Sequence, residues 1–100
     1  MNPILSRHID QINALCQKQK VQKLYSFGSV NAPTFNDTSD IDFLVSFQEM
    51  KLVDYADNYF DLCEGLEKIT GRKVDLVTER SLQNPFFIES IEKTKQLLYG

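Results

Sequence analysis

The chain has 100 residues, of which 42% are apolar and 25% are charged, a balance typical of one globular domain and not of a disordered chain. Its formal net charge of −3 argues against a protein that coats nucleic acid through bulk electrostatics. The N-terminus shows no apolar run after a basic stretch, and no segment approaches the length of a membrane span. We therefore expect a cytoplasmic protein that does not contact membranes.

The two cysteines, Cys16 and Cys63, lie outside any C-x-x-C step and away from any histidine cluster. We expect them to be buried thiols of a reducing compartment, with a disulfide as the alternative. A single domain over residues 1–100 has a small core, so association with a partner or with further copies of the chain would stabilise it.

The first half of the chain predicts a helix and two strands. Apolar residues recur at helical spacing from Asn2 to about Lys20, and the Asn-Pro pair at the start suits an N-cap and first turn. The segment Val21–Phe27 has the composition of a strand and ends at a Gly-Ser step, where a polar loop begins. The strongly apolar segment Ile41–Phe47 predicts the second strand.

The second half predicts a helix, a strand and a final helix. The helical pattern runs from roughly Val53 to Thr70, and the strand Lys73–Thr78 follows it. Asn84-Pro85 opens the last helix, in which apolar residues keep near-helical spacing as far as Leu98. This order predicts an α/β or α+β fold, with a small mixed sheet of about three strands covered by helices.

Three aspartates are the candidate catalytic and metal-binding residues. Asp40 and Asp42 stand two residues apart where a strand begins, so they share one face, and Asp75 lies inside the third strand. Carboxylates that converge from neighbouring strands form an oxygen-rich site suited to Mg²⁺ or Mn²⁺. The alternative is structural: Asp40 caps a turn together with Ser39, and Asp75 faces water on an edge strand.

The Gly28-Ser29 step lies at the exit of the first strand. Glycine allows a sharp turn and the close approach of a phosphate, and the serine adds a hydroxyl donor, although such a pair also occurs in ordinary turns. The step is not a Walker loop, because no Gly-Lys-Ser/Thr follows it. A calcium loop counted from Asp37 is excluded, since it would place Asp42 at the required glycine and Gln48 at the bidentate glutamate.

Together these motifs resemble a known family. The segment FGSVNAPTFNDTSDIDFLV, followed after one helix by VDLV, is similar to the DNA polymerase β-type nucleotidyltransferase superfamily, and within it to the minimal nucleotidyltransferases, or MNT proteins. The family pattern is Gly-Ser, a loop, Ser-Asp-x-Asp and a later strand Asp. The residues that match this pattern are Gly28, Ser29, Ser39, Asp40, Asp42 and Asp75.

The resemblance implies a mechanism and a partner. Asp40 and Asp42 would hold two Mg²⁺ ions, with Mn²⁺ as an alternative, and Asp75 would complete the site and help to deprotonate the attacking hydroxyl. Gly28 and Ser29, with Ser39, would bind the triphosphate of ATP or another NTP. Family members of this kind act as antitoxins of HEPN-domain toxins, and some transfer AMP to a tyrosine hydroxyl of the toxin.

One departure from the family pattern concerns the phosphate loop. Many members continue after Gly-Ser with a small residue, then Arg and Gly, whereas this chain has Asn31, Ala32 and Pro33. The missing arginine removes a bidentate phosphate ligand. A lysine, or no residue at all, replaces it. Separately, Arg72 lies just before Asp75 and is a candidate nucleotide-binding residue, or else it is the ordinary cation at a helix end.

Two functions of different class follow. The first is an active nucleotidyltransferase that modifies its partner toxin, which the three retained aspartates favour. The second is an inactive or weakly active antitoxin that blocks its partner by contact alone, which the missing arginine favours. A group of aromatic residues is interpreted either as core or as a partner-facing patch: Tyr55, Tyr59, Phe60, Phe86 and Phe87.

Overall fold

The structure, a computed structural model, describes all residues 1–100, and its first predicted helix is divided in two. Helix α1 comprises Pro3–Arg7 and helix α2 comprises Ile9–Lys18. The Oδ1 atom of Asn2 accepts a hydrogen bond from the Ile4 amide at 2.9 Å, as expected for an N-cap. The division occurs at His8, whose backbone φ of −113° departs from helical values.

The remaining elements largely follow the predicted order. Their bounds are β1 Val21–Phe27, a 3₁₀ turn Gly28–Asn31, β2 Ile41–Phe47, α3 Leu52–Thr70, β3 Val74–Thr78, a 3₁₀ turn Glu79–Ser81, α4 Pro85–Thr94 and β4 Gln96–Tyr99. Helix α3 ends at Gly71, whose φ of 68° is left-handed, as the sequence suggests for the residue after a helix. No helix in the chain is both long enough and apolar enough to cross a membrane.

The end of the chain corrects one prediction. The last helix stops at Thr94, and Leu98 lies in strand β4 instead of continuing the helix. Lys95 has an extended backbone, and β4 then pairs antiparallel with β1, which would otherwise be an edge of the sheet. Helical spacing alone could not reveal this, because the pairing joins segments that lie far apart in sequence.

The four strands form one mixed sheet in the order β3-β2-β1-β4. Strands β2 and β3 are parallel and are connected by α3, whereas β1 pairs antiparallel with both of its neighbours. The predicted fold class, a small mixed sheet covered by helices, is confirmed, with four strands where about three were expected.

The two faces of the sheet are covered unequally. Helices α1, α2 and α3 enclose the larger core of 14 buried residues on one face. The other face carries α4 and a core of only three buried residues, Phe27, Leu44 and Ile91. Part of this second face, which we call the α4 face, therefore remains open beside the helix.

The cysteines and the aromatic residues answer two questions that the sequence left open. Cys16 is buried and Cys63 half-buried, and both are free thiols. Tyr55 and Tyr59 are half-buried, and the Tyr59 hydroxyl donates a hydrogen bond to the Leu76 carbonyl at 2.6 Å, so the core interpretation holds for the tyrosines. It is wrong for the phenylalanines, which are exposed by 68%, 82% and 40% at Phe60, Phe86 and Phe87.

Two adjacent leucines of β4 provide a test of this strand. Leu98 is 7% exposed and Leu97 is 47% exposed, because successive strand residues point to opposite faces. We expect Leu98→Ala to lower the free energy of unfolding by about 2–4 kcal/mol and Leu97→Ala by less than about 1 kcal/mol, measured by urea denaturation. Equal losses from the two substitutions would contradict the position of β4.

Candidate active site

The sheet brings two of the three candidate carboxylates side by side. Ile41 and Phe43 are fully buried in the larger core, so strand alternation turns Asp42 to the α4 face. Asp42 is the register partner of Asp75 on the parallel strand β3, and neighbouring strands lie about 4.8 Å apart. Asp40 comes two residues before Asp42, immediately before β2 begins.

The Gly-Ser step lies directly against this pair. Gly28 has a φ of +74°, a left-handed conformation that favours glycine. A Cβ atom at this position would come within 2.7 Å of the Asp42 Oδ2 atom, so any side chain here would collide with the carboxylate. Phe27, the residue before it, is the register partner of Asp42. The family resemblance implies that Gly28 and the paired aspartates share one site, and the fold brings Gly28 against Asp42.

Two residues that sequence reasoning did not assign to the site hold this turn in place. The Gly28 amide donates a hydrogen bond to the Thr94 Oγ1 atom at 2.9 Å, across 66 positions of sequence. The Asn31 Nδ2 atom donates to the carbonyls of Thr94, at 2.9 Å, and of Ser26, at 3.1 Å. Asn31, which the sequence shows only as a departure from the family pattern, thus ties the Gly-Ser turn to β1 and to the end of α4.

The electrostatics of the site follow from this arrangement. Partial burial, together with the negative charges of Asp75 and Asp40, raises the pKa of Asp42 from its ordinary 3.8 to about 6. Asp40 and Asp75 themselves are exposed. The like-charge repulsion expected from the sequence is therefore present, and it is concentrated on Asp42.

The residues present fit a hard divalent cation. No three or more His, Cys, Asp or Glu side chains are grouped so that they could hold a metal ion by themselves. Of the three aspartates that were predicted to converge, only Asp42 and Asp75 are direct neighbours across two strands. Magnesium, however, commonly takes one or two carboxylates and fills its other positions with water and substrate phosphates. Two adjacent carboxylates, one of them close to the backbone of Gly28, match that requirement.

Arg72 has partners other than a free phosphate. Its Nη1 atom donates hydrogen bonds to the carbonyls of Asn36 and Ser39, each at 2.9 Å. Its guanidinium carbon also lies 4.4 Å from the centre of the Phe35 ring. Arg72 therefore holds the loop that leads into Asp40, which is a positioning role. Its contact with a nucleotide stays a prediction.

Ser39 is engaged in the same loop. Its Oγ atom accepts a hydrogen bond from the Asn36 amide at 3.2 Å, while the Asn36 Oδ1 atom accepts one from the Thr38 amide at 2.9 Å. These side-chain turns, together with Arg72, define the path of the chain just before β2. A nucleotide contact from Ser39 stays a prediction.

The position of the absent arginine is occupied by small, uncharged residues. Ala32 donates its amide to the Ser29 carbonyl at 2.9 Å, and Pro33 follows it. The lysines on either side of Thr94 are engaged on α4 itself, where Lys93 pairs with Glu89 at 3.4 Å and Lys95 pairs with Glu92 at 2.8 Å. If Lys93 or Lys95 replaces the arginine, it must first leave its pair.

The raised pKa of Asp42 predicts how stability depends on pH in the metal-free chain. Between pH 3.8 and about 6 the folded state keeps a proton that the unfolded state releases, so this group's contribution to stability falls as pH rises through that range. Asp42→Asn removes the effect. In EDTA we expect the variant to melt at a higher temperature than the wild type at pH 8, with the difference shrinking toward pH 4.

Asp57→Asn, on the exposed surface of α3, is the matched control and should change the melting temperature little at either pH. An Asp42→Asn variant whose melting temperature differs from that of the wild type equally at both pH values would contradict the assignment.

The contacts of Arg72 predict that its removal loosens the loop before Asp40. Arg72→Ala breaks two charge-assisted hydrogen bonds, so we expect the amides of Thr38 and Ser39 to exchange with deuterium at least about tenfold faster. Arg80→Ala is the control, because Arg80 stacks on Tyr55 at 4.7 Å and touches a different part of the chain. Unchanged exchange at these amides would remove Arg72 from its positioning role.

Comparison with known proteins supports the resemblance seen in the sequence. The family model described as nucleotidyltransferase domain matches residues 9–98. A protein of Methanocaldococcus jannaschii named "Putative protein adenylyltransferase" is 42% identical over 79 residues, which cover 79% of this chain and 78% of that protein.

Two solved structures share the fold. A chain in a crystal structure of a toxin-antitoxin with AMP-PNP matches with a TM-score of 0.70 and 25% identity, over 92% of this chain and 73% of the other. A chain in the complex of a tri-AMPylated Shewanella oneidensis HEPN toxin with an MNT antitoxin matches with a TM-score of 0.65 and 22% identity, over 95% and 71%, and this second likeness concerns the fold alone. With the Gly28-Asp42-Asp75 arrangement in place, the chain belongs to the nucleotidyltransferase domain family.

Proposed function

We propose that the protein transfers AMP from ATP to a hydroxyl group of a partner protein, and that it acts in this way as the antitoxin of a HEPN toxin. The observation that carries the proposal is the contact of Gly28 with Asp42, itself the strand neighbour of Asp75. This contact supports a single small site in which the Gly28-Ser29 turn would bind phosphate beside the carboxylates. The choice of nucleotide and partner is supported by the name of a relative, "Putative protein adenylyltransferase", and by a structural neighbour described as a tri-AMPylated HEPN toxin in complex with an MNT antitoxin.

Asp40, Asp42 and Asp75 would hold Mg²⁺, with two ions expected and Mn²⁺ as an alternative. When bound, the metal neutralises charge on the α-phosphate and on the departing pyrophosphate. Metal binding also requires Asp42 to be deprotonated. Because the pKa of this group is raised to about 6, metal affinity should fall as pH decreases below about 6.

The residues of the chain would divide the reaction between them. Because Gly28 has no side chain, its backbone comes close to the Asp42 carboxylate, so a triphosphate bound at the Gly28-Ser29 turn would lie beside the carboxylates. Asp75, exposed on β3, accepts the proton of the attacking hydroxyl. A bond forms between that oxygen and the α-phosphorus, the bond from the α-phosphorus to the bridging oxygen breaks, and pyrophosphate leaves.

The accessibility of the site suits a macromolecular acceptor. Asp40 and Asp75 are exposed, and α4 covers only part of the face on which Asp42 and Asp75 lie. A hydroxyl presented by a folded partner can therefore approach the carboxylates without opening of the chain. A small acceptor would more commonly be enclosed in a deep pocket.

A second candidate function is neutralisation by binding alone. The observation that favours it is that the lysine side chains on either side of Thr94 are already engaged in ion pairs. Ala32 and Pro33 carry no charge, and Lys93 and Lys95 are paired with glutamates. Weak triphosphate binding would then leave an antitoxin that works through its surface.

One experiment separates the two functions. The chain is incubated with a HEPN-domain protein encoded beside it, Mg²⁺ and each NTP in turn, and both proteins are weighed by intact mass spectrometry. We expect an AMP adduct on the HEPN protein with ATP. Asp42→Asn should lower its rate at least about 100-fold, because a charged ligand at the reacting phosphate is lost.

Asp61→Asn on the exposed surface of α3 is the matched control and should leave the adduct unchanged. If no adduct forms with any NTP, and neutralisation of the HEPN protein survives the combined Asp40→Asn and Asp42→Asn substitutions, the binding function is correct and the transfer function is wrong.

A further inference from the structure

The start of α4 places an exposed aromatic pair beside the candidate active site. Phe86 is 82% exposed and Phe87 is 40% exposed, unusual values for residues in the first turn of a helix that packs on a sheet. We refer to these two residues as the aromatic doublet.

The doublet is connected to the carboxylates through one buried ring. The centre of the Phe87 ring lies 6.0 Å from that of Phe27, with the two planes at 71°, an edge-to-face contact. Phe27 is buried, is the register partner of Asp42 and immediately precedes Gly28. Phe87 therefore lies on the α4 face, one ring away from the strand position that pairs with Asp42, and Phe86 is its neighbour in the first turn of the same helix.

The doublet is also held in a fixed position. Asn84 caps α4, and its Oδ1 atom accepts hydrogen bonds from the amides of Phe86, at 2.9 Å, and Phe87, at 3.4 Å. Pro85 occupies the first turn of the helix. The backbone that carries the two rings is therefore ordered before a ligand binds, which lowers the entropic cost of binding at this surface.

We propose that the aromatic doublet is the surface on which the base of the bound nucleotide stacks. The inference rests on the proposed function, since it requires a nucleoside triphosphate at the Gly28-Ser29 turn. In such a nucleotide only the sugar separates the base from the α-phosphate, so the surface that binds the base must adjoin the carboxylates. The doublet meets that condition, whereas the exposed Phe60 belongs to α3, which covers the opposite face.

The chemistry of the two rings matches that ligand. A base presents a flat aromatic face, and stacking on phenylalanine needs neither charge nor hydrogen-bond donors from the protein. Stacking tolerates different bases, so the doublet would strengthen nucleotide binding in general without selecting ATP by itself. It would also compensate in part for the arginine that the phosphate loop lacks at Ala32.

The test compares ATP with inorganic tripolyphosphate, which carries the phosphates without a base. Dissociation constants for both are measured by isothermal titration calorimetry in Mg²⁺ on the full chain. We expect Phe86→Ala to weaken ATP binding about 5- to 150-fold and to leave tripolyphosphate binding unchanged. Phe86→Trp, which keeps an aromatic face, should retain ATP binding.

Phe60→Ala is the matched control, an exposed phenylalanine on the other side of the molecule, and should change neither constant. Phe87→Leu provides a second variant that keeps an apolar contact with Phe27 while removing a ring, and we expect it to weaken ATP selectively as well. Thermal melts of each variant verify that the fold is retained.

The remaining outcomes are distinguishable. If the wild type binds ATP and both doublet variants bind it equally well, the stacking inference is wrong while the proposed function stands. If the variants keep ATP binding but lose the HEPN protein, the doublet belongs to the partner interface and the inference is again wrong. A wild type that binds neither ATP nor tripolyphosphate overturns the proposed function and the inference together.

Discussion

The repulsion between Asp42 and Asp75 is the constraint around which the rest of the site is arranged. Neither side chain can turn away, because Ile41 and Phe43 are buried on the opposite face and the parallel register of β2 and β3 fixes the pairing. Burial and the neighbouring negative charges raise the pKa of Asp42 to about 6. A sheet that only needed to be stable would place an apolar or hydrogen-bonded pair at this position. The unfavourable placement of these two carboxylates is consistent with a site that acquires positive charge from a ligand.

Helix α4 supports the site at both of its ends. Near its end, the Thr94 Oγ1 atom accepts a hydrogen bond from the Gly28 amide and so fixes the turn that adjoins Asp42. Near its start, Phe87 packs on Phe27, the residue that pairs with Asp42. The helix belongs to the smaller of the two cores, so its packing energy is modest compared with that of α3. A substitution that displaces α4 would therefore move both the Gly28-Ser29 turn and the strand positions beside Asp42.

How much of the fold and of the candidate site can be predicted depends on how far apart in sequence the interacting residues lie. The alternation of Asp40 and Asp42 with apolar residues, and the glycine at the end of β1, are local patterns, and they led to the correct strands and to the meeting of Gly28 with Asp42. Long-range contacts were missed. Strand β4 was read as helix because its pairing with β1 leaves no periodic mark, and the contact of Thr94 with Gly28 spans 66 residues. Arg72 was interpreted by its charge, whereas its partners are backbone carbonyls of a loop more than thirty positions away.

The absent arginine is best understood through the contacts that surround its position. In a phosphate loop, an arginine supplies charge and also a rigid fork that orients the triphosphate. Here orientation of the loop is already provided by Asn31, which binds the carbonyls of Ser26 and Thr94. Geometry can thus be maintained without the arginine, and what is lost is mainly attraction for the phosphates. Charge from a bound metal and stacking of the base are the two remaining sources of affinity, and both would act on the α4 face where Asp42 lies. A chain that depends on them would bind nucleotide weakly without metal, and the metal and the nucleotide would each strengthen the binding of the other.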